Sequence, residues 1–160
     1  MNSTQIHDGQ AKQIDMEKET LARAYYEPFN TGDLSIYEAI LAEDWVETPL
    51  TIPGQQPGRA GFLPVVTMFR QIFPDLHITN EDAIVSGDKV TVRSTVRGTQ
   101  QGELFGLPAT GRPVAVMAID IHRIENGKIV ETWHVEELLN VVFQIGASLQ
   151  PGAAATETAS

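Results

Sequence analysis

The hydrophobic period changes once along the chain, close to Pro74, and this change limits the possible folds more than any other feature. Between residues 16 and 73 the apolar side chains recur at three- and four-residue intervals, which is typical of amphipathic helices. After Pro74 they alternate in twos, which is typical of strands with one covered face. Helices followed by a run of strands predict an α+β domain, with N-terminal helices packed on a curved, mostly antiparallel sheet.

Three helices are predicted before this change. They cover residues 16–29, 33–41 and 59–73, and each has one apolar stripe. Gly32 ends the first helix and Pro74 ends the third, because glycine favours the left-handed end of a helix and proline cannot continue one.

Four strands are predicted after the change of period near Pro74. They cover residues 76–85, 89–97, 114–124 and 128–137. The Asn126-Gly127 pair is a hairpin signal between the last two, and an apolar segment at residues 138–145 closes the domain. A sheet of this kind curves into a half-open cone whose mouth can hold a small ligand.

The ends of the 160-residue chain, residues 1–15 and 150–160, have no hydrophobic period and are predicted to be flexible tails around a single domain at residues 16–149. Eleven Lys and Arg residues against 21 Asp and Glu residues give a net charge of −10, which argues against nucleic acid or a membrane surface as partner. The chain has no cysteine, which excludes disulfides, thiolate metal sites and a cysteine nucleophile. No secretory signal and no run of ~20 apolar residues is visible, so we expect a cytoplasmic protein.

Seven short motifs occur in a fairly specific order and spacing over most of residues 18–146. They are FNTGD at 29–33, FPDL at 73–76, GTQQGELFGLPATG at 98–111, DIHR at 120–123, NGKI at 126–129, ETW at 131–133 and QIG at 144–146. In these motifs the chain resembles the SnoaL-like polyketide cyclase family, within the larger nuclear-transport-factor-like cone fold. The resemblance implies a cone-shaped α+β barrel with an internal pocket.

The activity that the resemblance implies is ring closure by intramolecular aldol condensation in a polyketide ester. A carbon next to carbonyl groups loses a proton, and the resulting enolate attacks another carbonyl of the same molecule. This chemistry needs a group that takes and returns a proton and an apolar pocket that folds the substrate. We therefore expect a small hydrophobic carbonyl substrate, no cofactor and no metal.

Glu137 is the first candidate for the acid/base. The family usually places an aspartate four residues after the tryptophan of the last strand, and here that position, counted from Trp133, holds Glu137. Strand alternation puts Glu137 on the same face as Ile129 and Trp133. A carboxylate beside an aromatic ring in an apolar cavity has its ionised form disfavoured, which suits a proton shuttle. Alternatively, Glu137 lies at the strand end in solvent, as most glutamates do.

Asp120 and His122 are the other catalytic candidates, because they lie two residues apart on an otherwise apolar strand face. In one interpretation His122 is a proton partner or carbonyl donor, and Asp120 orients it or is a second base. In the other, both lie on the outer face of the sheet, paired with an arginine or with a neighbouring subunit. His134 and Glu136 are expected on the face opposite Trp133 and Glu137, so His134 and Glu137 point to opposite faces and their spacing does not indicate a metal site.

The pocket wall is predicted to contain Tyr26, Phe69, Phe105 and Trp133, although aromatic residues at such spacings are also typical of plain core. Arg93 is a further candidate for substrate binding. The loop at residues 102–111, with Phe105 between glycines, is predicted to be a movable lid, unless its glycines serve only turn geometry.

Two other functions stay open. The first is a related cone-fold enzyme, either a double-bond isomerase or an epoxide hydrolase; the hydrolase would need Asp120, Arg93 and Glu137 to converge inside the cone. The second is a non-catalytic binding or dimerisation module, which an exposed Glu137 and a cone filled by side chains would favour. A homodimer is expected because the central strands are apolar on both faces.

Overall fold

The structure, a computed structural model, describes residues 3–150 and shows helices packed on one sheet. The elements in chain order are α1 (Ser3–Ala24), α2 (Glu27–Thr31), α3 (Ile36–Ile40), β1 (Leu41–Thr48), α4 (Gly58–Ile72), β2 (His77–Ser86), β3 (Lys89–Thr99), β4 (Pro113–Glu125), β5 (Lys128–Glu136) and α5 (Leu138–Gln144). Most of the predicted C-terminal tail, residues 151–160, lies outside the described residues. No helix within residues 3–150 is both long enough and apolar enough to cross a membrane.

The five strands form one open, mixed sheet in the order β1-β5-β4-β3-β2. Strands β2 to β5 pair antiparallel with their neighbours, and β1 pairs parallel with β5 at one edge. The predicted α+β fold with a mostly antiparallel sheet is confirmed. The turn at Asn126 and Gly127 has φ angles of 50° and 72°, which is the geometry that joins two strands directly in a hairpin.

The helices differ from prediction mainly at their ends. Helix α4 begins and ends within one residue of the predicted helix, but the predicted first helix is interrupted between Ala24 and Glu27. Pro28 explains the interruption, because it has no N–H to donate to the Ala24 carbonyl oxygen and its ring would clash with that carbonyl in a continuous helix. The predicted N-terminal tail is helical from Ser3, although residues 7–15 are exposed.

A cluster of buried aromatic rings fills one end of the space between helices and sheet. The rings of Tyr25, Tyr37, Trp45 and Phe62 lie with centroids 5.0 to 6.1 Å apart. The interruption after α1 lets Tyr25 point into this cluster. A second buried cluster, which includes Phe73, closes the opposite end.

A β-bulge in the β4–β5 hairpin decides which side chains of β5 point inward. Next to the turn Ile124 pairs with Ile129, but one step further Arg123 pairs with Glu131, so Val130 is an extra residue in β5. An extra residue exchanges the two faces of everything that follows it. As a result Ile129 is buried, and the inward positions beyond the bulge are the even-numbered ones, beginning with the fully buried Thr132.

The segment after β5, predicted only as an apolar closing segment, is helix α5. It begins where β5 has ended and β4 still has unpaired backbone groups. The Glu137 N–H donates to the Met117 carbonyl oxygen at 3.2 Å, and the Gln144 amide exchanges two hydrogen bonds with the Ala115 backbone at 2.7 and 3.0 Å. The Glu137 backbone N–H and the Gln144 side-chain amide therefore replace a strand partner for the first half of β4.

Candidate active site

A cavity of about 130 Å³ lies between the helices and the inner face of the sheet. Its wall is mostly apolar and aromatic. Its polar groups lie together at the end near the buried aromatic cluster, which we call the polar end of the cavity. The polar lining residues are Tyr26, Glu47, Thr51, Asp120, His134 and Glu136. An apolar cavity with a few converging polar groups is the usual form of a small-molecule site.

Asp120 on β4 places a carboxyl group in this cavity while it is only 5% exposed. Its Oδ2 accepts a hydrogen bond from the Tyr26 hydroxyl at 2.8 Å. Burial raises the pKa of Asp120 to about 7. The negative charges of Glu136 and Glu47 act in the same direction, and the Tyr26 hydrogen bond and the positive charge of His134 act against them. A carboxyl group that titrates near pH 7 can both take and return a proton at neutral pH.

His122 lies behind Tyr26, fully buried and outside the cavity wall. Its Nε2 lies 3.1 Å from the Tyr26 hydroxyl oxygen, and its Nδ1 lies 2.9 Å from the Thr132 Oγ1. The Trp45 indole N–H donates to the same Oγ1 at 3.0 Å. Burial lowers the pKa of His122 to about 3, so the ring is neutral at physiological pH and links hydroxyl groups rather than carrying charge.

His134 on β5 is a cation in this arrangement. Its Nδ1 lies 2.7 Å from Glu136 Oε1, and its Nε2 lies 2.7 Å from the Pro49 carbonyl oxygen. Carboxylate and carbonyl oxygens only accept, so both ring nitrogens donate and the ring is an imidazolium. Burial lowers the pKa of His134, but the hydrogen bond and charge of Glu136, the Pro49 carbonyl and the charge of Glu47 outweigh it and raise that pKa to about 9.

Glu47 on β1 is the counter-charge on the other side of His134. Its carboxylate accepts hydrogen bonds from the Thr51 hydroxyl and the Gln55 amide, and it lies 3.5 Å from the His134 Nε2. One oxygen of Asp120, one nitrogen of His134 and one oxygen of Glu136 lie within 4.8 Å of one another. Because both nitrogens of His134 donate to oxygen atoms, the ring offers no lone pair to a cation, and the group is an ion-pair network beside a carboxyl group.

The structure brings together several of the predicted site residues. Asp120, Tyr26, Phe69 and Phe105 line the cavity, and His122 contacts Tyr26 directly behind it. Asp120 and His122 therefore lie on the inner face, in the first of the two interpretations. Asp120 reaches the cavity, as a second base would, whereas His122 lies behind the cavity wall rather than facing a substrate.

Glu137, Trp133 and Arg93 lie outside the cavity, so their predicted place in it is wrong. The bulge at Val130 turns Trp133 to the outer face, where the Lys89 Nζ lies 5.9 Å from its ring centroid. Glu137 is exposed, and its carboxylate accepts a hydrogen bond from the Met117 N–H at 2.8 Å. Arg93 points outward because its neighbours along β3, Val92 and Ser94, are both buried.

Sequence reasoning missed Glu47, His134 and Glu136 as cavity residues. In the bulged register Asp120 pairs directly with His134, whereas an uninterrupted hairpin would pair it with Trp133. One signal was available: the alternating polar residues of β5 match the Asp120 and His122 stripe of β4. Two polar stripes on neighbouring strands are easiest to bury against each other.

The predicted lid has a fixed base and an exposed tip. The fully buried Gln100 amide donates to carbonyl oxygens of the loop, including that of Gly102 at 3.0 Å, and accepts from the Thr110 hydroxyl at 2.7 Å. At the tip, Phe105 is 53% exposed, lines the cavity mouth and has a φ of 52°, which a bulky side chain adopts only under strain. Movement of the loop stays a prediction.

The geometry bears on the open alternatives. Within residues 3–150 no arginine or lysine lines the cavity, so the carboxylate–arginine–carboxylate group of an epoxide hydrolase is not assembled there. The exposed position of Glu137 agrees with a non-catalytic module. The cone is not filled by side chains, however, and it contains a buried carboxyl group that faces the cavity.

Comparison with known proteins gives one family. A family profile described as SnoaL-like polyketide cyclase matches residues 19–145. Among solved structures, TsrD from Streptomyces laurentii is 29% identical with a TM-score of 0.76, covering 83% of this chain and 97% of its own. IdmH from Streptomyces antibioticus, described as "a putative polyketide cyclase", is 31% identical with a TM-score of 0.70, covering 81% and 99%. A "Putative polyketide cyclase" from Bacillus cereus is 30% identical with a TM-score of 0.72, covering 83% of both chains. No curated protein sequence matches the chain.

Proposed function

The chain belongs to the SnoaL-like polyketide cyclase family, and from that premise we propose that it is a cofactor-independent cyclase acting on a hydrophobic carbonyl substrate, with Asp120 as the acid/base. The observation that carries this proposal is the position of Asp120. It lies in an apolar cavity, one oxygen is held by the Tyr26 hydroxyl, and its pKa is raised to about 7 by burial. Within residues 3–150 its other oxygen has no hydrogen-bond partner, which leaves that oxygen for a substrate proton.

The proposed reaction is an intramolecular aldol condensation. The Asp120 carboxylate removes a proton from a carbon between two carbonyl groups, and the electron pair of the C–H bond forms an enolate. The enolate carbon then bonds to a second carbonyl carbon of the same molecule, whose oxygen takes the proton back from Asp120. The aromatic wall, including Phe62 and Phe69, would bring the two carbons into contact, which is the step a flexible chain rarely reaches unaided.

The charges around the cavity support a neutral substrate. The imidazolium of His134 lies between the carboxylates of Glu47 and Glu136, so its charge is already matched. With Asp120 nearby, the polar end has more negative than positive groups and would repel a free carboxylate or a phosphate. A ketone or an ester, rather than an acid, is the class of compound that fits.

The test uses a panel of neutral linear β-diketones and β-keto esters. Proton removal is read by ¹H NMR as deuterium exchange at the acidic carbon, and ring closure is read as a product of unchanged mass. We expect Asp120→Asn to lower both rates by about 10²–10⁴-fold, the typical contribution of general acid–base catalysis. The exposed Asp82→Asn is the matched control and should match the wild type. Equal rates in Asp120→Asn and wild type would overturn the assignment.

A double-bond isomerase is the second candidate function. It is favoured by the same observation, because a single enclosed carboxyl group can move a proton from one carbon to another without any bond forming between carbons. A β,γ-unsaturated ketone distinguishes the two: an isomerase shifts its double bond, whereas a cyclase leaves it unchanged.

We further propose that the protein forms a homodimer through the outer face of the sheet. Met117, Val135 and Ile84 are exposed there, and Trp133 lies on the same face. A second copy suits this face because an exposed apolar patch gains from contact with another apolar patch, and a two-fold axis brings the same patch of two copies together.

A further inference from the structure

The hydrogen bonds behind Asp120 form one buried chain of five side chains. In order they are Trp45, Thr132, His122, Tyr26 and Asp120, joined by contacts of 3.0, 2.9, 3.1 and 2.8 Å. The Trp45 indole only donates and the Asp120 carboxylate only accepts, but each of the three side chains between them can either donate or accept. The chain can therefore run in two directions, and only one of them has the Tyr26 hydroxyl donating to Asp120.

Donor and acceptor counting favours that direction. The Trp45 indole N–H can only donate, and it occupies one lone pair of Thr132 Oγ1. Within residues 3–150 the acceptor available to the Thr132 hydroxyl hydrogen is the Nδ1 of His122. A neutral imidazole that accepts at Nδ1 carries its hydrogen on Nε2, so His122 donates to the Tyr26 oxygen. The Tyr26 hydrogen is then directed to Asp120 Oδ2.

The opposite direction leaves one buried hydrogen without a partner. His122 would donate from Nδ1, so both Trp45 and His122 would donate to Thr132 Oγ1. The hydroxyl hydrogen of Thr132 would then have no acceptor, although the residue is 0% exposed. Buried donors are almost always paired in folded proteins, because an unpaired one keeps the full cost of leaving water.

We propose that Thr132 is a positioning residue whose hydroxyl fixes the direction of this chain and thereby keeps the Tyr26 hydroxyl donating to Asp120. The effect of Thr132 on the reaction rate rests on the proposed function, whereas its effect on the pKa of Asp120 does not depend on that function. Thr132 touches neither the cavity nor Asp120, and it acts only through His122 and Tyr26.

Loss of the Thr132 hydroxyl removes the group that fixes the direction of these hydrogen bonds. Within residues 3–150, neither neutral form of His122 then has a hydrogen-bond partner at Nδ1, so the preference for hydrogen on Nε2 is lost. In the molecules that carry the hydrogen on Nδ1, Tyr26 donates to the bare Nε2 instead of to Asp120. The Asp120 carboxylate loses the hydrogen bond that favours its ionised form, so the pKa of Asp120 rises further. The other charged groups facing Asp120, Glu47 from β1 and His134 and Glu136 from β5, are unchanged, so the rise reports the chain alone.

The experiment compares Thr132→Val, which keeps the shape and removes the hydroxyl, with Thr132→Ser, which keeps the hydroxyl. The pKa of Asp120 is read by ¹³C NMR titration of its carboxyl carbon, which needs no substrate. We expect a rise of roughly one unit in Thr132→Val, since a hydrogen bond to a charged group is worth about that much. Thr132→Ser should titrate like the wild type. Identical titrations in all three proteins would overturn the proposal.

A double-mutant cycle separates positioning from simple loss of packing. Tyr26→Phe removes the donor itself, so it should raise the pKa of Asp120 at least as far as Thr132→Val does. Because both act through one hydrogen bond, the double variant should show no further rise. Additive rises would show that Thr132 acts by another route and would contradict the proposal.

One measurement needs no variant. The ¹⁵N shifts of the His122 ring in the wild type distinguish the two neutral forms, and we expect hydrogen on Nε2. Hydrogen on Nδ1 would overturn the direction of the chain. The outcomes also separate the two proposals: full activity of Asp120→Asn refutes the proposed function whatever the titrations show, whereas an unmoved titration refutes only the role of Thr132.

Discussion

In the middle of the β4–β5 pair, around Asp120 and His134, the polar side chains lie on the inner face and the apolar ones on the outer face. The inner face presents Asp120, His122 and His134 toward the helices, whereas the outer face presents Met117 and Val135 toward solvent. In an ordinary two-layer domain the apolar face of a sheet is the covered one. The sheet therefore buries groups that are costly to desolvate and exposes groups that gain from burial.

The two faces also differ in the contacts that their side chains make. Every inner polar group has its partners, from the Trp45 indole through His122 to the His134 ion pair, so the buried face is stable and its geometry is fixed. The outer face has an Arg123–Glu131 ion pair and the Lys89–Trp133 contact, but Met117 and Val135 are exposed there and gain by contact with another surface. The expectation that the central strands are apolar on both faces holds for the outer face and fails for the inner one at Asp120.

On the inner face, the largest loss of stability is expected when the cation of His134 is removed. His134→Leu leaves the buried carboxylate of Glu47 and the half-buried carboxylate of Glu136 without a counter-charge, and we expect a loss of about 3–5 kcal/mol at pH 6. The pKa of His134 is raised to about 9, so its contribution is complete below pH 6.5 and is lost as the pH rises through 9.

Urea unfolding at pH 6 and pH 9 measures this loss, and the difference between wild type and variant should shrink at the higher pH. The exposed His77→Leu serves as control and should stay within about 0.5 kcal/mol of the wild type. A loss from His134→Leu that is small at pH 6 would mean that the ion pair does not hold the inner face together.

Asp120→Asn should stabilise the protein while it removes the proposed activity. The folded pKa of Asp120 is raised from 3.8 to about 7, so its contribution to stability is complete below pH 3.8 and is lost as the pH rises through 7. Asparagine never ionises, and we expect it to be more stable than aspartate by roughly 1–4 kcal/mol at pH 8, with little difference near pH 4. Denaturant midpoints at the two pH values test this, and a less stable Asp120→Asn at pH 8 would contradict it.

The outer face is tested by placing a charge on it. Val135 is 64% exposed, so Val135→Lys should leave the monomer fold within about 0.5 kcal/mol of the wild type. In the proposed dimer it would bury an unpaired ammonium group, and sedimentation velocity at micromolar concentration should show a monomer. Thr67→Lys, on an exposed position of α4, should leave the dimer intact. A wild type that is monomeric under these conditions would contradict the dimer.

Periodicity was sufficient for most of the fold because most elements are set by local patterns, but the parallel edge strand β1 was not among the four predicted strands. Spacing predicts the helix at residues 59–73, and turn chemistry predicts the hairpin at Asn126-Gly127. Both predictions agree with the structure. The site depended on one residue that has no such pattern. Val130 is β-branched and apolar like its neighbour Ile129, so the residue type at this position does not indicate that the strand bulges there.

That single bulge accounts for the main errors at the site. It moves Trp133 out and His134 in, and it shifts the assignment of the catalytic carboxylate from Glu137 to Asp120. Asp120 itself was predictable because a charged side chain on an apolar strand face must be paired or functional. Its partner Tyr26 comes from a turn nearly a hundred residues earlier, and only the tertiary fold brings the two together.

The smallest expected effect, and the one that separates the two carboxylates, belongs to Glu137→Gln. The Glu137 carboxylate accepts the Met117 N–H at the point where β4 has lost its strand partner, and a glutamine oxygen can accept the same hydrogen bond. We therefore expect turnover within about twofold of the wild type and a stability loss below about 0.5 kcal/mol, against about 0.5–1.5 kcal/mol for Glu137→Ala, which removes the acceptor. The measurements are the exchange rate on the β-keto ester panel and urea unfolding. A 10²-fold fall in Glu137→Gln with full activity in Asp120→Asn would place the acid/base at the end of the last strand, where the family pattern puts it, and the polar end of the cavity would then serve only to bind and to hold the fold.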